Sequence, residues 1–371
     1  MKNYFLFAVL PLWIIYLCSR LMPRNRDLIV FGTHTSSFSG NIKSLFLNRS
    51  TSLYRKVFIS DNNKLIEQLS AQGYEIYYKF SLKGIWYSLR VGTYVYSGFP
   101  SDINFWLSGG AKYVNVWHGT PIKKIERDVT TGKYSLRNKY EWIFKILKPH
   151  LLAKPDVLLA SSAFEEKQFC SAFGVTEDII VRAFPPRLES LRGENTSNTK
   201  LLTVLYAPTW RDDHSFSFTD YVDLDSFNTF LQKNSMIFKI KLHPSDKSTK
   251  IQDVYSNISM INQTEDVYDY LKEMHVLVSD YSSMVFESLY LSKPVVLFCP
   301  DYDSYQKNSR EFYINPCTEL PVEVSYGQKE LEKKLLLALE SGTSVVSKNS
   351  ELYKPYAIEE NLLEKLVKHN N

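Results

Sequence analysis

No GxGxxG string follows the first apolar strand-like run of this chain, Leu28-Ile29-Val30-Phe31-Gly32, so dinucleotide binding of that kind is not expected. Cysteine is scarce: Cys18, Cys170, Cys299 and Cys317 form no CxxC pair and no metal-ligand spacing. That argues against a zinc module and a disulfide scaffold, and reads as free thiols in a reducing compartment. No carboxylate cluster suggests a metal site, so neither a metal nor a cofactor is expected. Low-complexity tracts and repeats of fixed period are absent, and with them disordered and solenoid architectures. Charge of one sign is also missing. The 44 Lys and Arg offset 40 Asp and Glu to leave +4, and with no recognition motif present, nucleic acid is not an expected partner.

What is present reads as globular. Apolar residues make up 44% and charged residues 23% of 371 positions, which suits two domains of ordinary size. The abundance of Tyr (25) and Phe (22) fits amphipathic contact surfaces as well as cores. At the N-terminus, Tyr4 to Cys18 is an uncharged apolar run of fifteen residues interrupted by Pro11. A bilayer span needs about 20. The residues Tyr16-Leu17-Cys18 are too large for a cleavage site. Arg20, Arg24 and Arg26 follow the run, which keeps the following domain on the cytoplasmic side. Residues 1–22 are therefore expected to be a membrane-associated segment, with a buried first helix or strand as the alternative.

From Asp27 onward, short apolar runs alternate with polar helical stretches. Lys56 to Ser60, Glu75 to Tyr78, Tyr94 to Ser97 and Tyr113 to Trp117 continue the first series. Leu201 to Tyr206, Phe238 to Lys241, Val276 to Ser279 and Val295 to Phe298 form a second. This alternation predicts α/β architecture with parallel sheets and crossover helices. The domains are expected at 23–190 and 201–371, joined by the polar stretch Leu188 to Lys200.

Four polar strings stand at predicted strand ends, where open α/β sheets bind ligands. The first is Trp117-His118-Gly119-Thr120-Pro121, with Pro121 and Thr120 favouring a helix start. A near-neutral histidine such as His118 can take a proton from a hydroxyl, and Gly119 permits close backbone approach. Pro208-Thr209-Trp210-Arg211 is the second, with Thr209 a possible donor to a base or phosphate and Arg211-Asp212 readable as an ion pair. In the third, Lys241 and His243 alternate onto one strand face and suit a transferring phosphoryl group. The fourth is Asp280-Tyr281-Ser282-Ser283 before a predicted helix, Met284 to Leu291, whose free N–H groups favour anions. Glu287 lies about one turn further on.

Together the four strings resemble the CDP-glycerol glycerophosphotransferase family, which builds teichoic acids, over about Val30 to Pro316. The resemblance implies a GT-B-like fold, two Rossmann-like domains facing a cleft. It also implies transfer of glycerol phosphate, or a similar polyol phosphate, from CDP-glycerol to a hydroxyl of a lipid-linked glycan or polymer acceptor, with CMP released. In it, His118 is the general base, His243 lies beside the diphosphate, and Glu287 matches the acidic ribose-binding position. Arg187 matches an arginine of a Pro-Arg-Asn-Asp segment, although Leu188-Glu189 replaces Asn-Asp here. Gly119, Thr120, Arg187, Pro208, Thr209, Lys241, Ser282, Ser283 and Glu287 are thus the expected donor and phosphate contacts. Phe38 to Phe46 resembles an Asp-Asn-Ser-Lys-Tyr-Leu segment, with Gly40 and Ile42 at altered positions, and no catalytic duty is expected of it. A GT-B glycosyltransferase using a nucleotide sugar, and a non-catalytic peripheral membrane protein, are the alternatives.

Lys123 to Lys154 holds nine Lys or Arg against three Asp or Glu, with Tyr140, Ile143, Phe144 and Leu147 at helical spacing. This fits either a basic helix on an anionic membrane surface or a domain helix packed by its apolar stripe. A position at the cytoplasmic face of the cell membrane is expected.

Overall fold

A computed structural model of the chain describes residues 2–34, 37–48, 53–192, 201–211, 216–242, 246, 254–262, 265–308, 311–341 and 353–369. His243 and Pro244 of the third string, Asp212 of the second, and 193–200 of the expected linker lie outside these residues.

Two compact units emerge. The first carries a seven-stranded sheet of β1 (Asn25–Gly32), β2 (Arg55–Ser60), β3 (Ile76–Tyr78), β4 (Val91–Tyr96), β5 (Lys112–Asn115), β6 (Val157–Ala160) and β7 (Ile180–Arg182). Its order is β3-β2-β1-β4-β5-β6-β7, with every pairing parallel. The second carries β8 (Leu202–Tyr206), β9 (Met236–Ile240), β10 (Ile258–Met260), β11 (Val276–Ser279), β12 (Val295–Phe298) and β13 (Glu323–Ser325), in the order β10-β9-β8-β11-β12-β13 and again all parallel. In both sheets the strand order reverses once, beside β1 and β4 in one and beside β8 and β11 in the other. Ligands bind at the carboxyl ends of strands flanking such a reversal.

The central strands are apolar along their length because helices cover both faces. All four residues of β6, β11 and β12 are buried. The helices between them start on side-chain caps: Asn62, Ser81, Ser162, Asp223 and Asp266 each accept a backbone N–H of the first turn. Some carboxyl ends are closed by lysine. Lys56 Nζ meets the carbonyls of Leu45, Phe46 and Asn48, and Lys293 Nζ those of Leu271, Lys272 and Met274. Ammonium groups suit that end of a helix, where carbonyls lack partners and the dipole is negative.

The unit boundaries differ from the expected ones in two places. Residues Gly119–Ile125 group with the second unit, and Pro355–Asn371 with the first. The second difference follows from burial: Leu362, Leu363, Leu366 and Val367, on one face of the helix Leu362–Lys368, join the core of β1, β2 and β5. No helix starts at Thr120-Pro121. The chain there stays extended because Ile122 and Lys124 exchange backbone hydrogen bonds with Tyr313 and Glu311.

The N-terminal apolar run forms the helix Lys2–Ser19. Among the described residues, no helix is long and apolar enough to cross a membrane. Its second half is built into the first unit: Tyr16 stacks on Phe105, Trp13 meets Trp106 edge-on, and buried Ser19 Oγ accepts Gly109 N–H at 2.9 Å. Arg24 then donates to the carbonyls of Ser19, Ser88, Leu107 and Gly109. Leu10, Ile14 and Leu17 remain exposed on the same helix.

Candidate active site

The first unit gathers its chemistry at the ends of β1, β4 and β5. Trp117, just past β5, holds a left-handed backbone (φ 45°), a costly state for a bulky residue. Two features hold it there. Its N–H donates to Asn115 Oδ1, and its ring packs on Phe169 and Phe173. The turn that results presents His118. His118 Nδ1 lies 2.9 Å from the carbonyl of Ser97, so Nδ1 carries the proton and Nε2 keeps its lone pair. Desolvation by surrounding protein, with smaller contributions from His34 and Arg187, holds its pKa below 6.5 against the opposing Ser97 carbonyl and Asp102. The ring keeps a solvent-exposed edge, so this desolvation is partial.

Asn41 ties this turn to Arg187. Its amide donates to the carbonyl of Val116 at 2.7 Å and of Trp117 at 3.3 Å, while its Oδ1 accepts from Arg187 Nη1 at 3.1 Å. Arg187 is buried, and its guanidinium reaches the His118 neighbourhood through this amide. Sequence reasoning gave the Phe38 to Phe46 segment no duty. Its buried Asn41, one of the few polar side chains on an otherwise apolar helix face, is the signal that was there to find.

The second unit builds its site at the ends of β8 and β11. Asp280, fully buried, organises it: Oδ1 accepts the N–H of Thr209 at 2.8 Å and of Tyr281 at 2.6 Å, and Oδ2 accepts Arg211 Nη1 at 2.7 Å. Arg211 also grips Asp301 through Nε and Nη2 and donates to the Thr209 carbonyl. The rings of Phe216, Tyr281 and Tyr305 flank its guanidinium at 4.7–5.1 Å. Arg211 is thus a scaffold for the two loops, with Asp280 and Asp301 as its partners. Within this scaffold Thr209 Oγ1 is buried with no hydrogen-bond partner among the described residues. Buried hydroxyls are normally satisfied, so an open one beside a strand end suits a ligand.

Ser282 and Ser283 precede the helix Met284–Tyr290. Ser282 Oγ accepts Met284 N–H at 3.3 Å, while Ser283 makes no capping hydrogen bond. Gly119 (φ 155°) packs against this helix end. A Cβ there would lie 3.1 Å from Ser283 Oγ and 3.6 Å from Glu287 Oε1, so only glycine allows the approach. Glu287 is buried one turn along the helix.

Other expected contacts are placed differently. The Thr120 hydroxyl is fully buried against Tyr290 OH at 3.2 Å. Lys241 Nζ donates to the Asn262 carbonyl at 2.7 Å, and its burial lowers the ammonium pKa. Pro208 lies half-buried in the loop after β8, directly before Thr209. Lys124 pairs with Glu311, and Lys123 lies over the Tyr305 ring.

Two Rossmann-like units, each with polar loops at its sheet reversal, make a GT-B-like fold. A model of the CDP-Glycerol:Poly(glycerophosphate) glycerophosphotransferase family matches residues 14–356, and the chain belongs to that family of transferases. It is 28% identical over 327 residues to a teichoic acid poly(glycerol phosphate) polymerase of Bacillus spizizenii, covering 79% of each chain. It is 26% identical over 366 residues to a teichoic acid glycerol-phosphate transferase of Staphylococcus aureus, covering 92% of each. The solved structure of the wall teichoic acid polymerase TagF superposes with a TM-score of 0.69 at 21% identity, over 93% of this chain and 90% of that one.

Proposed function

We propose that this transferase moves glycerol phosphate, or a closely related polyol phosphate, from its CDP-activated form to a hydroxyl of a teichoic-acid-type polymer acceptor. His118 Nε2 takes the hydroxyl proton as the oxygen attacks the β-phosphorus. A new P–O bond forms, the bond to the CMP phosphate breaks, and CMP leaves with the electron pair. Ser282, Ser283, Thr209 and Gly119 receive the donor phosphates and Glu287 the ribose hydroxyls. Arg187 stabilises charge beside His118, and Asp280 with Arg211 holds the donor loops in place. Lys241 serves through the loop it fixes at Asn262, and His243 acts at the diphosphate. The single observation that carries the reading is a proton-accepting Nε2 fixed at a strand end in a chain of this family.

The test is incubation with CDP-glycerol, CDP-ribitol and UDP-sugars, each with polyol-phosphate and lipid-linked acceptors. CMP release with CDP-glycerol or CDP-ribitol supports the reading, and UDP release alone would transfer it to the glycosyltransferase alternative. Within that assay, Glu287→Ala is expected to weaken CDP-glycerol and free CMP by the same factor, about tenfold or more for a lost charged hydrogen bond. Unchanged CMP affinity in calorimetry would remove Glu287 from the ribose.

The acceptor is lipid-linked in this reading, and the enzyme works at the cytoplasmic membrane face. Supporting this, the helix Glu141–Leu147 has no buried residue and exposes Trp142 and Ile146. It lies against the N-terminal helix, where Trp13 Nε1 donates to the Ile146 carbonyl at 3.0 Å. Exposed aromatic and aliphatic side chains among lysines suit an anionic lipid surface. Because Ser19 and Arg24 are embedded, point changes are a cleaner test than deletion of 1–22. Trp142→Ala with Ile14→Ser is expected to reduce binding to anionic vesicles, and added salt to reduce it further, since exposed charges are screened beyond ~8 Å at physiological ionic strength. Binding equal to wild type would leave these residues as ordinary surface.

A further inference from the structure

A second imidazole in the first unit has no part in the chemistry above. His34 follows β1 at the sheet reversal, and Ser97, just past β4, fixes both histidines. Ser97 Oγ accepts the His34 backbone N–H at 3.2 Å, and its carbonyl accepts His118 Nδ1–H at 2.9 Å. The rings lie nearly parallel, 6.2 Å apart at 9°. Gly98 makes the room: a Cβ there would stand 2.9 Å from His34 Nδ1. Behind the ring is the Asp102 carboxylate, its side chain 4% exposed, with Oδ1 3.8 Å from His34 Nδ1 and Oδ2 held by the N–H groups of Gly98 and Phe99. The His34 side chain is 54% exposed, so with Nδ1 turned to Asp102 its Nε2 is the donor left for a ligand.

We propose that His34 is an acceptor-phosphate subsite, which binds the phosphate next to the terminal polyol whose hydroxyl His118 deprotonates. This rests on the phosphotransfer reading above and deepens it. In a glycerol phosphate chain the terminal hydroxyl oxygen and the nearest phosphorus are five bonds apart, about 6 Å when extended at bond lengths of ~1.5 Å. That span matches the separation of the two rings. The charged and titratable groups facing His34 are Asp102, Glu126 and His118. Asp102 dominates and raises the His34 pKa above 6.5, so the ring carries charge more readily than its neighbour. Acceptors that already end in polyol phosphate are therefore favoured over a bare sugar hydroxyl.

The experiment compares kcat/KM for a synthetic two-unit glycerol phosphate acceptor with that for a neutral alcohol acceptor of equal length. His34→Gln is expected to lower the ratio of the two by about tenfold, the worth of a charge-assisted hydrogen bond. In wild type the ratio should fall as pH rises through the His34 pKa. Asp102→Asn, which removes the charge that raises that pKa, should move the fall to lower pH. Equal loss on both acceptors, or a rise in the KM of CDP-glycerol alone, overturns the proposal. If wild type released no CMP from any CDP-polyol, the phosphotransfer reading would fail. Calorimetric binding of the two-unit acceptor to wild type and His34→Gln would then still decide the subsite, with equal affinities overturning it.

Discussion

His118→Ala is expected to lower kcat by roughly 10²–10⁴, the usual worth of a general base, with the affinity for CDP-glycerol little changed. The pH profile gives a second readout. Only neutral imidazole accepts a proton, and His118 has its pKa pushed below 6.5 by desolvation. Activity should therefore hold as pH falls through 6.5 and be lost only below it. Asn41→Ala should lower kcat as well, because Asn41 holds the Val116 and Trp117 carbonyls that aim the turn. Near-wild-type turnover of His118→Ala at saturating substrate would take the proton transfer away from this residue.

Arg211→Ala should be the most destabilising single change in the second unit. It strands two carboxylates, Asp280 and Asp301, whose side chains are 1% and 9% exposed. Breaking a buried pair by removing one partner costs about 3–5 kcal/mol, because the remaining charge stays desolvated. Arg211→Lys should recover little of this, since an ammonium cannot reproduce the fork to Asp301 or lie between aromatic rings. Urea denaturation followed by amide exchange in β8 and β11 would measure it. Wild-type protection in those strands would show that the ring stack, without the charge, holds the loops.

Sequence reasoning placed the short apolar runs of the central strands, such as Val276 to Ser279 and Val295 to Phe298, but passed over β6, whose Val157 to Ala160 is wholly apolar. β7, β10 and β13, which it also passed over, have three residues each and carry little pattern. Ser282 and Ser283 were legible because a polar pair between a strand and a helix can only be a helix start. Arg211 was not, since its partners lie 69 and 90 residues along the chain. Lys241 has the charge for a phosphate, yet the Asn262 carbonyl claims it. His34 was missed for a similar reason: nothing near it in sequence resembles Asp102, and the sheet alone brings them together. The predicted helix at Thr120-Pro121 lost to strand-like pairing with Glu311 and Tyr313, a tertiary effect that overrides local preference.

The helix Leu362–Lys368 sets an order on biosynthesis. It fills the core beneath β1, β2 and β5, and Lys112 Nζ closes its end by donating to the carbonyls of Val367 and His369. A ribosome therefore delivers the first unit's strands long before the residues that seal them, with the whole of 190–354 emerging in between. Until residue 367 clears the exit tunnel, an apolar trough in the nascent first unit is open to chaperones, while the second unit already has all its own strands. A stop codon or pause just upstream of Leu362 would consequently injure the half of the protein made first.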